Sequence, residues 1–137
     1  MIVGLGTDLV SVERMAGLLN RWEDRLLLRI LGEQEREEFP QSQGAAFLAR
    51  RFAAKEATVK ALGTGLRNGI CWGDIQVGHD ALGRPSLHLS GAAQQQLAKC
   101  ARRPRLWLSL SDEAQFAVAT VVIEEEAGAN LEGESCG

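Results

Sequence analysis

Two groups of residues in this chain have the types needed to handle phosphate. Asp8 follows a short Gly-containing run, Ile2-Val3-Gly4-Leu5-Gly6-Thr7. Arg51 opens the stretch RFAAKEATVKALGTG, which holds Lys55, Glu56, Lys60 and the turn Gly63-Thr64-Gly65. Mg2+ prefers octahedral oxygen coordination and keeps several waters, so two carboxylates from separate elements suffice beside phosphate oxygens. A lysine near them adds a compact positive charge. In phosphoryl transfer the protein mostly positions groups and neutralises developing charge. Residue types and spacing permit Mg-dependent phosphate chemistry and go no further. No Walker motif, GxGxxG fingerprint or Ser-His-Asp pattern offers a competing chemistry.

These residues need a strand and a helix to hold them. Residues 2–7 read as a short strand whose glycines allow close backbone approach, with Asp8 where that strand ends. Taken alone, Asp8 reads as a turn or cap residue before a helix. The stretch from Leu48 to Leu62 reads as the central helix. At about 100° per residue, Leu48, Phe52, Val59 and Leu62 form one apolar stripe that also contains Lys55. Glu56 and Lys60 lie along one edge of that stripe and Arg51 on the other. Ala53, Ala54, Ala57 and Ala61 make a small-residue back, and Gly63 is placed for a left-handed C-cap. A charge inside an apolar stripe is unfavourable unless something pairs with it. The plain alternative is that Lys55 and Glu56 snorkel out of a partly buried amphipathic helix.

Between strand and central helix, Ser11 can cap a helix whose apolar stripe is Val12, Met15, Leu19, Trp22 and Leu26. Arg14, Leu18, Arg21 and Arg25 line another face, with Arg29 nearby. Such a strip is either a solvated face or a docking surface for an acidic helix, where arginines steer encounter. Glu33 to Phe39 reads as a short acidic helix ended by Pro40. Downstream the period changes to two. Ile70–His79, Arg84–Leu89, Arg105–Asp112 and Gln115–Glu124 read as strands, with a Ser90-capped helix over Gly91–Ala101 between the pairs. The order β-α-α-α-β-β-α-β-β predicts an α+β domain with a largely antiparallel sheet.

The chain's 137 residues suit one domain, read here as residues 1–124 followed by an acidic tail, 125–137, with the composition of a disordered end. Five glutamates and no Lys or Arg fall in residues 124–137, which leaves the body slightly basic against a net charge of −3. That balance suits anionic ligands and is too weak to suggest duplex nucleic acid. The basic cluster Lys99, Arg102, Arg103 and Arg105 has few interleaved aromatics and reads as a solvated turn. No apolar run approaches a membrane span, and the start MIVGLGTDLV lacks the basic region of a signal peptide. Cys71, Cys100 and Cys136 are odd in number and scattered, which points to a reducing cytoplasm and away from a disulfide frame or zinc site.

The opening VGLGTDLVSVERM and the stretch RFAAKEATVKALGTG, followed by Arg67-Asn68-Gly69, closely resemble the holo-[acyl-carrier-protein] synthases, the small bacterial class of 4′-phosphopantetheinyl transferases. The resemblance runs from Ile2 to about Glu124 and includes Gly83-Arg84-Pro85. It implies a long central helix packed on an antiparallel sheet. The implied reaction, part of fatty acid biosynthesis, moves the 4′-phosphopantetheine arm of coenzyme A to a serine of apo acyl carrier protein and releases adenosine 3′,5′-bisphosphate. By position it implies Asp8 and Glu56 as Mg2+ ligands, with Lys60 near the reacting phosphates. Coenzyme A would be bound by Arg51, Lys55, Lys60, Gly63, Thr64, Gly65, Arg84 and Pro85. Arg14, Leu18, Arg21 and Arg25 would grip the carrier. A homotrimer with sites at subunit interfaces is also implied, and the serine's proton would go to Glu56 or to a metal-bound water. One departure stands out: relatives carry His in the penultimate strand where this chain has Trp107. The other reading this leaves is a degenerate relative that binds coenzyme A or a carrier without turning over.

Overall fold

The computed structural model describes residues 1–128. Strand β1 (Ile2–Ser11) leads into helices α1 (Val12–Trp22), α2 (Asp24–Ile30), α3 (Glu33–Glu37) and α4 (Gly44–Leu62). A 3-10 turn at Trp72–Asp74 precedes the hairpin β2 (Ile75–His79) and β3 (Pro85–Leu89), then helix α5 (Gly91–Cys100) and strands β4 (Pro104–Asp112) and β5 (Phe116–Glu125). An antiparallel sheet in the order β1-β5-β4 stands beside the β2-β3 pair. The expected α+β class with antiparallel pairing is what the chain adopts.

The core is the seam between the sheet and α4. Twelve of the 19 residues of α4 are buried, so this helix runs through the protein and not along its surface. Its alanine back lets β1 come very near. A Cβ at Gly4 would overlap the Ala61 carbonyl oxygen, and one at Gly6 the Ala57 carbonyl oxygen. Ala117, Ala119, Val121 and Ile123 of β5 fill the inner face of the sheet. Gly63 closes α4 at φ 81°, its N–H donating to the Val59 and Lys60 carbonyls, as a C-cap glycine should.

Several boundaries differ from the sequence reading. Strand β1 continues through Ser11, so Asp8 sits within a strand, opposite Ala119. Leu9 and Val10 prolong the alternation, with Val10 buried and Leu9 exposed. The single helix expected after Ser11 breaks at Glu23, whose φ is 49°. The break turns α2 so that the Ile30 carbonyl meets the Lys55 ammonium at 2.7 Å. Strand β2 starts at Ile75 and not Ile70, because Asp74 folds the preceding residues locally: its N–H donates to the Cys71 carbonyl and its carboxylate accepts from the Cys71 N–H. Ser11 caps α1 through the Arg14 N–H as expected, whereas Ser90 precedes α5 without a side-chain cap bond.

The end of the last strand also shifts. β5 includes Glu125, whose carboxylate accepts from the N–H groups of Arg102 and Arg103 at 2.7 Å each, and Glu126 pairs with Arg105 at 3.3 Å. The acidic stretch is thus ordered for two residues beyond Glu124, its charges already facing the basic cluster. Residues 129–137 lie outside the described residues.

Candidate active site

Along β1, Gly4, Gly6, Asp8 and Val10 face α4. Asp8 therefore leaves the sheet on the same side as Glu56 and Lys60, which α4 presents one turn apart. Lys60 Nζ donates to Asp8 Oδ1 and to the Thr7 carbonyl, both at 2.9 Å. Asp8, Glu56 and Lys60 line one cleft of about 550 Å³, closed on its other sides by Arg14, Met15, Leu18, Phe52, Leu9 and Phe116. Burial raises the Glu56 carboxyl above the usual glutamate range, and the Asp8 charge raises it further against the pull of Lys60. A partly buried carboxyl beside a second carboxylate has a use for a cation between them. Among the described residues no group of three or more His, Cys, Asp or Glu side chains could hold a metal ion. The donor set is two carboxylate oxygens, with water or a ligand left to complete it, which fits Mg2+ and not the N/S preference of zinc.

Arg51 and Lys55, expected on coenzyme A, are turned the other way. Lys55 is fully buried, and its ammonium donates to Glu35 Oε1 at 2.6 Å, the Ile30 carbonyl at 2.7 Å and the Trp72 carbonyl at 3.0 Å. An ammonium has three donors, so none remains for a ligand. Burial pulls its pKa below the usual lysine range, opposed by Glu35. Arg51 donates to Glu35, Glu38 and the Val77 carbonyl and lies over the Phe47 ring. The partner that a lysine in an apolar stripe demands is Glu35, which sequence reasoning did not single out. The demand itself was the available signal, and α3 offered several glutamates to meet it.

The other expected residues fall into three places. Thr64 is half-buried and Gly63 and Gly65 are exposed just beyond Lys60, at the end of α4. Arg84 and Pro85 lie in the β2-β3 hairpin, where Arg84 Nε holds Asp80 at 2.9 Å, and neither lines the cleft. Arg14, Arg21 and Arg25 are exposed and Leu18 half-buried. Although Arg25 belongs to α2, it and Arg21 both stack on Trp22, at 5.1 and 5.2 Å from the ring centre. Leu18 joins the cleft to a second groove of about 460 Å³ formed with Trp22, Arg25, Leu26 and Arg29.

Trp107 stands on the opposite face of the sheet from Asp8, its indole N–H donating to Glu124 at 3.0 Å and its ring under Arg105. The exchange of His for Trp leaves the carboxylates and Lys60 untouched within one chain. On that outer face Ile2, Leu5 and Leu9 are each more than 60% exposed, an apolar surface larger than scattered single residues would make.

Residues 4–121 match the sequence pattern of the 4′-phosphopantetheinyl transferase superfamily. The chain is 58% identical over 126 residues to the holo-[acyl-carrier-protein] synthase of Acidithiobacillus ferrooxidans, a match covering 90% of this chain and 98% of that protein. Its fold is similar to the crystal structure of holo-[acyl-carrier-protein] synthase from Neisseria meningitidis, with a TM-score of 0.83 at 42% identity over 91% of this chain and all of that one. It is also similar to a holo-(acyl-carrier-protein) synthase from Bacillus anthracis in complex with CoA (3′,5′-ADP), with a TM-score of 0.74 at 37% identity, covering 92% of this chain and 99% of that one. A cleft with two facing carboxylates and a lysine, on a fold and sequence shared along nearly the whole described length, places this chain in the holo-[acyl-carrier-protein] synthase family of the 4′-phosphopantetheinyl transferase superfamily.

Proposed function

We propose that this protein transfers the 4′-phosphopantetheine moiety of coenzyme A to a serine of an apo acyl carrier protein, giving holo carrier and adenosine 3′,5′-bisphosphate, in support of fatty acid biosynthesis in the cytoplasm. The observation that carries this reading is the convergence of Asp8, Glu56 and Lys60 on one cleft. Asp8 and Glu56 would hold Mg2+, which when bound neutralises charge on the diphosphate oxygens. Glu56 lies in the same cleft, where its carboxylate can accept the serine hydroxyl proton. The serine oxygen then bonds to the β-phosphorus, the bond to the bridging oxygen breaks, and the bisphosphate leaves with the electron pair. Lys60 is half-exposed at the cleft, where its ammonium can offset that charge. Gly63, Thr64 and Gly65 follow directly and would take up the nucleotide end, whereas Arg84 and Pro85 would reach coenzyme A only from a neighbouring copy.

Carrier recognition falls to Arg14, Leu18, Arg21 and Arg25, since Arg14 and Leu18 also line the reacting cleft. The homotrimer is supported by the exposed apolar face of β1. Leu9 belongs both to that face and to the cleft rim, so a subunit packed there would reach the site. Light scattering should give three times the chain mass, and Leu5→Asp should reduce it to one.

The deciding experiment incubates the protein with apo carrier, coenzyme A and Mg2+ and weighs the carrier. A gain equal to the phosphopantetheine arm is expected. No gain with any carrier, alongside intact coenzyme A binding, would make the protein a binding module.

A further inference from the structure

We infer that Glu35 and Lys55 are positioning residues, which set the rotation of α4 so that Glu56 faces Asp8 and at the same time tie the carrier-side helix α2 to the reacting cleft. The inference rests on the functional reading given above and adds to it a role for a buried pair that contacts neither substrate.

The geometry is that of a closed junction. Glu35 is 1% exposed and Lys55 not at all. Lys55 gives its three N–H groups to three elements: Glu35 of α3, the Ile30 carbonyl that ends α2, and the Trp72 carbonyl of the 3-10 turn. Glu35 in turn accepts from the Gly32 N–H at 2.9 Å, from Arg51 at 3.2 Å and from the Val77 N–H at 3.3 Å. A carboxylate has about four acceptor positions, and all four are occupied. Arg51 also pairs with Glu38, whose side chain is half exposed, so two cations face two anions across the junction and its rim. An assembly with every donor and acceptor satisfied is stiff, and partial satisfaction is costly.

Its place on α4 gives that stiffness a function. Lys55 immediately precedes Glu56, roughly 100° round the helix. Arg51 immediately precedes Phe52, which lines the cleft and packs edge-on against Trp72 at 5.1 Å. The glycine–alanine seam fixes how near β1 comes to α4, and the three-way ammonium fixes the rotation of the helix against α2, α3 and the 3-10 turn. Because the Ile30 carbonyl shares that ammonium, the groove formed by Arg25, Leu26 and Arg29 is held in register with the carboxylates.

The test compares Glu35→Gln, Glu35→Asp and the core control Leu97→Ala in the full chain. Mn2+ binding is read by the electron paramagnetic resonance of the free ion, coenzyme A binding by calorimetry, and carrier modification by mass. Expected for Glu35→Gln is Mn2+ affinity weakened fivefold or more and turnover lowered tenfold or more, with coenzyme A affinity within threefold. Glu35→Asp should regain part of both, and Leu97→Ala should lower the melting temperature while leaving Mn2+ affinity within twofold. Should Glu35→Gln not fold, Glu35→Asp carries the comparison with the control. The inference is overturned if the Glu35 variant studied loses stability as Leu97→Ala does but keeps wild-type Mn2+ affinity and turnover. It is also overturned if coenzyme A affinity falls first, since that marks substrate contact. Wild-type protein showing neither Mn2+ binding nor transfer overturns the functional reading and this inference together.

Discussion

Helix α4 carries two groups of charged side chains, less than two turns apart, that share residue types and little else. Around Lys55 the three ammonium donors and the acceptor positions of Glu35 are all used, and both side chains are buried. Around Lys60 the ammonium is half-exposed, and burial together with the neighbouring Asp8 charge raises the Glu56 pKa. The same helix thus holds a closed junction and an open site. The difference is that an electrostatically saturated group can only hold structure, whereas one left short of positive charge can receive a ligand.

Exchanging the roles of the two groups is the sharpest way to break this contrast. At the open site, Asp8→Ala and Glu56→Gln should each lower transfer by about a thousandfold or more, the scale of losing a principal charge-stabilising group. Melting temperatures should stay near wild type. At the closed junction, Lys55→Met should cost about 3 kcal/mol of stability by urea unfolding, because it leaves Glu35 buried with less compensation. Equal stability losses at both places would erase the distinction. Reversing Arg14 and Arg21 to Glu should lower kcat/KM for the carrier by about tenfold or more, with a dependence on salt and little change in coenzyme A binding. Equal loss of both would remove the docking assignment.

The smallest effect is in pH. A carboxylate whose folded pKa is raised adds stability below its unfolded pKa, and that contribution is lost as pH rises through the folded value. Metal-free Glu56→Gln should therefore be slightly more stable than wild type above that window, the gain fading on acidification. Asp8→Asn should narrow the effect, since the Asp8 charge is its second cause after burial. A gain that grows towards low pH would contradict the assignment.

Much of this was legible in the sequence where local chemistry decides. Ser11 and Gly63 announced their caps, and Gly4 and Gly6 against the alanine back announced a close strand–helix seam. The need of Lys55 for a partner was legible too, but not that the partner was Glu35, because several acids lie within reach of a short helix whose docking is set by tertiary contacts. The break at Glu23 carried no Gly or Pro signal. Beyond it, the carbonyl that ends α2 meets a lysine 25 residues later, a contact that no window of sequence contains. Asp8 and Glu56 had no shared local pattern, so their meeting came from family resemblance and then from coordinates.

The bare seam at Gly6 reaches further than its size suggests. Hard cations are told apart by a few tenths of an ångström in donor spacing. At the proposed site that spacing would be set where Gly6, two residues before Asp8, packs on the carbonyl of Ala57, the residue after Glu56. Discrimination among ions would in this way be delegated to atoms that never meet one.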